Sequence, residues 1–315
     1  MSTLDTLASD YRALTEGCGI VDRAGRGRLA LTGAEAKEFL HGQVTNDVEA
    51  LEPGKGCYAA FLTHKGKMLG DLRILHLGDE LFLDTERISL QELFNMIRRY
   101  KLGRDVELHK RTVERGLLSL VGPGARAAAG AESLGPDEHD NAAGEIGGVP
   151  VRLVATAVGV DLICDAAHTD AVKTALADVP EVSEAAAEVV RVESGRPRYG
   201  LDLDDSVIPQ EAGLNERAVS FTKGCYVGQE TVARLHYRGR PNRHLRGLRL
   251  SAPAPTGEPL RLGEREVGRL GSSVVSPAHG PIGLAIVRRE AAPGDTVAVG
   301  DGGVTATLVE LPFPE

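Results

Sequence analysis

The run Lys223-Gly224-Cys225-Tyr226-Val227-Gly228-Gln229-Glu230 places one cysteine between two glycines, a cation and a carboxylate. A thiol acts as nucleophile or soft-metal ligand in its thiolate form, which a neighbouring ammonium favours. Lys223, two residues before Cys225, is the candidate source of that ammonium. Gly224 and Gly228 let the backbone approach a ligand closely or take a positive φ. Glu230 opposes a thiolate if it lies close, so its expected part is to hold a cationic or hydrogen-bond-donating ligand edge, or to act as base toward the thiol. The competing reading is a buried structural cysteine, the commoner fate of this residue type. The chain supplies its own contrast. Lys55-Gly56-Cys57-Tyr58 repeats the tetrapeptide but runs on into Ala59-Ala60-Phe61-Leu62, apolar and strand-like, so Cys57 is expected to be a core residue at the start of a strand.

Cys18, Cys57, Cys164 and Cys225 are far apart, with no C-x-x-C pair and no zinc-ligand spacing, and the nine histidines form no H-E-x-x-H. No resident metal site is expected, and reduced thiols in a cytoplasmic protein are the simplest account. The start, Met1-Ser2-Thr3-Leu4-Asp5, lacks the basic-then-apolar order of a signal peptide, and no apolar run reaches membrane-spanning length. A net charge of -9 argues against general nucleic-acid affinity. Against that background Arg234, Arg238, Arg240, Arg243, Arg246 and Arg249 fall in one stretch without an acidic residue. The stretch is either a set of ion pairs within the protein or an anion site fit for a polycarboxylate tail or an RNA backbone.

The elements that position these residues show an internal echo. Leu29 to Gly33 leads into a helical pattern at Ala34 to Leu40, and Leu118 to Gly122 leads into another at Pro123 to Ala129. Arg73 to Leu77 and Leu81 to Asp84 read as a hairpin around Gly78, and Arg152 to Ala155 with Asp161 to Asp165 as a second around Gly159. In each hairpin an aspartate follows the turn glycine by six residues, and helices are expected at Ser89 to Leu102, with Leu90, Leu93, Phe94 and Ile97 on one stripe, and at Thr169 to Leu176. Strand, helix, hairpin, helix, met twice, predicts a pseudo-duplicated α+β unit. Gly130 to Gly148 reads as an exposed acidic connection. From Arg246 onward, short strands at 248–250, 266–270, 283–287, 296–299 and 305–309, separated by Gly and Pro, predict a small β-barrel. The chain of 315 residues exceeds one comfortable core, and the expected division is a body over 1–235, its two lobes joined near 123–148, and a barrel domain over 236–315.

The eight residues from Lys223 to Glu230 match the K-G-C-Y-x-G-Q-E signature of YgfZ-type folate-binding proteins, relatives of the glycine-cleavage T-protein, an aminomethyltransferase. Asp22 with Gly27 to Gly33, Gln43 to Asp47, Arg191 to Gly195 with Tyr199-Gly200, and Pro209 to Leu214 are similar to that superfamily's landmarks and fall in its order. The resemblance implies an α+β, three-lobed cloverleaf, two pseudo-duplicated lobes around a central folate channel with a C-terminal β-barrel. It implies tetrahydrofolate or a derivative as ligand, and iron-sulfur client enzymes or assembly proteins as partners of a monomeric, cytoplasmic protein. By the same resemblance Cys225 is the reactive group, Glu193 takes the amino-pyrimidine edge of a pterin, and Tyr199 flanks that ring. Lys223, Tyr226, Gln229, Glu230 and Arg234 complete the expected ligand-binding set. The family role so implied is support of iron-sulfur cluster assembly or repair; the alternative is a folate-dependent aminomethyl transferase or demethylase. Aminomethyltransferases carry N-A-x-N at the end of the second hairpin strand and a catalytic aspartate soon after. Here Asp84-Thr85-Glu86-Arg87 stands there, leaving Asp84 or Glu86 as the candidate replacement.

Overall fold

The structure, a computed structural model, describes residues 3 to 313. Residues through Leu62, Leu69–Ala187 and Arg217–Val227 make one compact unit; Thr63–Met68, Glu188–Glu216 and the chain from Gly228 onward make another. The strands up to residue 165 are β1 Gly19–Asp22, β2 Gly27–Thr32, β3 Gly56–Leu62, β4 Met68–His76, β5 Leu81–Thr85, β6 Glu107–Lys110, β7 Arg115–Val121, β8 Asn141–Ile146, β9 Val149–Thr156 and β10 Gly159–Asp165. The helices of the chain are α1 Thr3–Glu16, α2 Ala36–His41, α3 Leu90–Tyr100, α4 Ala125–Ala128, α5 Thr169–Ala175, α6 Glu184–Glu193, α7 Asn215–Ala218 and α8 Gln229–Arg238.

The ten strands form two five-stranded sheets of the same internal order, β3-β4-β5-β2-β6 and β8-β9-β10-β7-β1. The duplication is therefore real, with one exchange. The strand that precedes each repeat in sequence pairs with the other repeat: β1 lies against β7, and β6 against β2. Register aligns the copies, because Leu29 faces Leu83 in one sheet and Leu118 faces Leu162 in the other. Asp84 then corresponds to Ile163, so the echoed aspartates are not equivalent; Asp165 lies beyond, exposed, where its carboxylate accepts the Ala167 amide.

Strand alternation assigns each side chain to a layer. On β4 and β5, Leu72, Ile74, Leu81 and Leu83 face a core with Leu93 and Ile97 of α3, whose apolar stripe is the one expected from sequence. Leu75 and Phe82 point the other way and meet Leu117, Val154 and Ile163 of the second sheet. Each such fully buried side chain contributes roughly 1.5–3 kcal/mol. Arg73 shares the Leu75 face. It reaches Asp84 at 2.9 Å, its own cross-strand partner, and Asp161 of β10 at 2.6 Å, to which Ser119 also donates at 2.6 Å.

Gly130 to Gly148 is only partly a connection. Asn141–Ile146 is β8, paired along its length with β9, and His139, Asp140 and Asn141 are buried. This strand of Ala, Gly and Glu owes its conformation to the hairpin partner, since its own β-propensity is low.

In the second unit β11 Arg243–Leu250, β12 Pro259–Leu262, β13 Arg265–Ser276, β14 Gly280–Arg288, β15 Thr296–Val299 and β16 Val304–Val309 close into a barrel of order β11-β14-β13-β12-β15-β16. Its interior holds Leu248, Leu260, Val267, Val287, Val297 and Leu308. The predicted C-terminal β-barrel is thus observed, beginning at Arg243. Sequence reasoning missed β12, a four-residue strand in which Leu260 alone is fully buried.

Candidate functional site

Lys223 is the anchor of the cysteine loop. Its side chain is buried and its ammonium donates to the carbonyls of His41, Val44 (2.7 Å) and Asn46 (2.9 Å). An ammonium has three donors, so none remains for a Cys225 thiolate. That corrects the part expected of Lys223: it fixes the loop to the turn after α2. Burial pulls its pKa down to about 8, against the opposing pull of Asp47, Cys57 and Glu49. Tyr226 is buried beside it, the ammonium 5.0 Å from the ring centre, and burial pushes the phenol up to about 12. The Val227 amide donates to the Gly42 carbonyl at 3.3 Å. Between these fastenings Cys225 is exposed. Gly228 then turns with φ 84°, a conformation costly for any residue with a Cβ, and α8 begins at Gln229. Gln229 is half-buried, while Glu230 and Arg234 are exposed.

The second Lys-Gly-Cys-Tyr has the opposite fate. Cys57 lies on β3, packed against the first core, and burial pushes its thiol up to about 12. It stays protonated at neutral pH, as a core residue should. Lys55 pairs with Asp140 at 2.7 Å.

Tyr58, the last residue of that tetrapeptide, leads to a group that sequence reasoning missed. Its hydroxyl donates to Asp71 Oδ2 at 2.7 Å, and Asp71 is buried. Burial is the main reason the Asp71 pKa rises to about 6; the Glu86 charge adds to the rise, while the Tyr58 hydrogen bond, Arg26 and Arg217 oppose it. The Arg217 guanidinium lies 5.0 Å from the centre of the Tyr58 ring, and Asn46 donates to the Tyr58 carbonyl at 2.8 Å. Asp71 is thus an acid poised near neutrality, as proton-handling carboxyls are. A signal did exist: Asp71 and Arg73 stand two apart in the apolar run Met68-Leu69-Gly70-Asp71-Leu72-Arg73-Ile74-Leu75, which puts two charges on one strand face.

Asp84 and Glu86 are held differently. Asp84 is buried, which alone would raise its pKa, but Arg26 at 2.8 Å and Arg73 at 2.9 Å outweigh burial and hold it below the usual carboxylate range. Glu86 takes the other arm of Arg26 at 2.5 Å. Both carboxylates are committed to guanidinium partners, so neither is an available acid.

In the second unit Glu193, the last residue of α6, accepts the Ser276 hydroxyl on Oε1 at 2.5 Å. Ser276 in turn accepts the amides of Ala278 and His279, both at 2.9 Å. Tyr199 is half-buried and its hydroxyl donates to the Met68 carbonyl at 3.3 Å. The arginine stretch divides: Arg243 forks onto Glu211 at 2.8 and 3.0 Å and Arg246 meets Glu310 at 3.1 Å, so this half is ion pairing within the fold. Among the described residues no group of three or more His, Cys, Asp or Glu is placed to hold a metal ion, and no helix is long and apolar enough to cross a membrane.

A duplicated α+β body followed by a closed six-stranded barrel, with this cysteine loop, defines a class. Residues 2–223 match the family described as the GCVT N-terminal domain, and residues 243–314 the glycine cleavage T-protein C-terminal barrel domain. The chain belongs to the glycine cleavage T-protein family. A chloroplastic protein of Arabidopsis thaliana that carries a transferase name is 30% identical over 96% of this chain and 72% of its own length. An aminomethyltransferase of Rubrobacter xylanophilus is 26% identical over 98% of this chain and 86% of its own. Among solved structures, the glycine cleavage system aminomethyltransferase T of Bartonella henselae shares the fold with a TM-score of 0.87 at 22% identity, covering 98% of this chain and 90% of that one.

Proposed function

We propose that this protein binds tetrahydrofolate and supports the assembly or repair of iron-sulfur clusters in client enzymes, with Cys225 as its reactive group. The observation that carries the reading is the exposed thiol on a loop fastened on both sides, by Lys223 before it and the Val227 amide after it. A thiol so presented meets a macromolecular partner rather than a buried substrate. The YgfZ-type signature and a cytoplasmic, monomeric state are parts of the same proposal.

The residues present fit a pterin. Its amino-pyrimidine edge offers N–H donors, and Glu193 is a carboxylate oriented by Ser276 to accept. In the same unit Gln210 Oε1 and Asn215 Oδ1 are buried acceptors without a protein hydrogen-bond partner, which a donor-bearing ligand or water satisfies. Tyr199 supplies an aromatic face. Bound tetrahydrofolate supplies a one-carbon carrier, and the protein groups orient it. Tyr226 and Lys223 hold the loop, leaving Gln229, Glu230 and Arg234 for the ligand's polar end or the partner.

The test separates binding from chemistry. Cys225→Ser should retain the wild-type affinity for tetrahydrofolate yet fail to restore cluster-dependent enzyme activity in a strain lacking the protein. Full restoration by that variant removes the role.

One observation favours a second reading, one-carbon transfer from an amine to tetrahydrofolate: Asp71, buried against Tyr58 with its pKa raised to about 6, is a fitting proton-transfer group. Methylene-tetrahydrofolate formation from an aminomethyl donor, with ammonia released, lost in Asp71→Asn and kept in Cys225→Ser, would establish that reading over the first.

A further inference from the structure

The first half of the arginine stretch is not neutralised. Arg234 and Arg238 on α8 and Arg240 just beyond it are exposed, and none forms an ion pair among the described residues. Arg234, Tyr237 and Arg238 fall at i, i+3 and i+4, on one face of α8. Tyr237 is 67% exposed, an unusual state for a tyrosine, while Val232 buries the other side of the helix. Beyond the helix, the Arg289 amide donates to the Asn242 carbonyl at 2.9 Å and Arg288 lies opposite Arg243 in the barrel, adding two more exposed arginines beside the end of the stretch. The acid of α8, Glu230, lies in its first turn.

We propose that this tyrosine-centred basic face of α8 docks a short acidic segment of a partner protein. Charge complementarity selects the sign: the chain carries -9 overall, and these cations are left without internal counterions. Residue type selects protein over RNA. Arg and Tyr are the side chains that dominate protein-protein binding energy, and an exposed tyrosine flanked by guanidinium groups suits an acidic segment bearing an apolar residue. Nucleic-acid affinity rests on neutralising phosphates and falls steeply with salt, and a small cationic face on a chain of net charge -9 supports it poorly. The proposal deepens the function given above, since α8 begins four residues after Cys225.

The experiment titrates the full chain by fluorescence anisotropy with a labelled peptide of alternating glutamate and leucine, and with an oligouridylate of equal charge. The peptide should bind, more weakly as salt rises, and more tightly than the oligouridylate. Arg234→Glu with Arg238→Glu should weaken it at least ~10-fold and Tyr237→Ala several-fold. Arg99→Glu, a charge reversal at an exposed position of α3, should change nothing. Equal or tighter oligouridylate binding, an equal loss in Arg99→Glu, or no peptide binding overturns the docking face. Cys225→Ser should keep full peptide affinity. A Cys225→Ser variant that loses client support in a protein that binds no peptide leaves the thiol role standing and removes the docking face alone.

Discussion

Replacing Asp71 by Asn should make the protein more stable at neutral pH. The fold holds this carboxyl in a buried site where its pKa rises from 3.8 to about 6. A raised acid pKa means that the folded state binds the proton more tightly than the unfolded one. The associated stability is fully present below about pH 4 and is lost as pH rises through about 6. Two pKa units at 1.36 kcal/mol each make the loss about 3 kcal/mol at pH 7. Asparagine cannot ionise and so escapes that loss, and its amide oxygen can still accept the Tyr58 hydroxyl. Its amide N–H donors, buried without an assured acceptor, take back about 1 kcal/mol. The expected outcome is a variant about 2 kcal/mol more stable than wild type at pH 7, the advantage shrinking as pH falls and reversing below about pH 4, where wild type is the more stable by about 1 kcal/mol. Urea unfolding across pH 4 to 8, followed by tyrosine fluorescence and far-UV circular dichroism together, measures it. A variant destabilised at pH 7 refutes the reasoning, because Asp71 would then be a counterion that Arg26 and Arg217 need rather than an acid kept at a cost.

Tyr58→Phe removes the hydroxyl that favours the Asp71 carboxylate, so the Asp71 titration, followed by carboxyl NMR, should move above its midpoint near 6. Arg73→Met strips the buried Asp161 of its cation and should cost about 3–5 kcal/mol in urea unfolding, while adding Asp161→Asn should recover at least about 1 kcal/mol. Lys223 has a folded pKa near 8, below the 10.5 of an exposed lysine, so the unfolded chain binds the extra proton. Stability should therefore rise between pH 8 and 10.5 by up to about 3 kcal/mol relative to Lys223→Met, and parallel curves for the two proteins would contradict this.

What the sequence disclosed was what period and local chemistry encode. The hairpin at 73–84 and the stripe of α3 were legible because alternation and helical spacing act within a dozen residues. The exchange of β1 and β6 was not, since each abandons its chain neighbour for a strand of the other repeat, and nothing in four residues specifies so distant a partner. β8 was hidden for the same reason: Ala, Gly and Glu become a strand when β9 lies alongside. The site follows this rule. Cys225 stood out by its flanks, whereas Asp71 became an acid of note through burial, against the opposing hydrogen bond of a phenol thirteen residues away.

The twin tetrapeptides show why flanks are insufficient on their own. Lys55 and Lys223 carry the same side chain into the same Gly-Cys-Tyr, yet one stays exposed while pairing with the buried Asp140 and the other buries its charge among three carbonyls. The difference propagates. Behind Lys55 the chain continues as β3 and carries Cys57 into the core, where the thiol is pushed out of reach of neutral-pH chemistry. Behind Lys223 the chain cannot continue as a strand, because Gly228 turns it left-handed into α8 and Cys225 is left outside. Lys223 thus matters to the thiol by where it holds the loop, not by the charge it would lend. If that is so, Lys223→Arg, which keeps the charge but cannot place three donors in the same small turn, should impair client support nearly as much as Lys223→Met. An arginine variant with full activity would return the role to simple electrostatics.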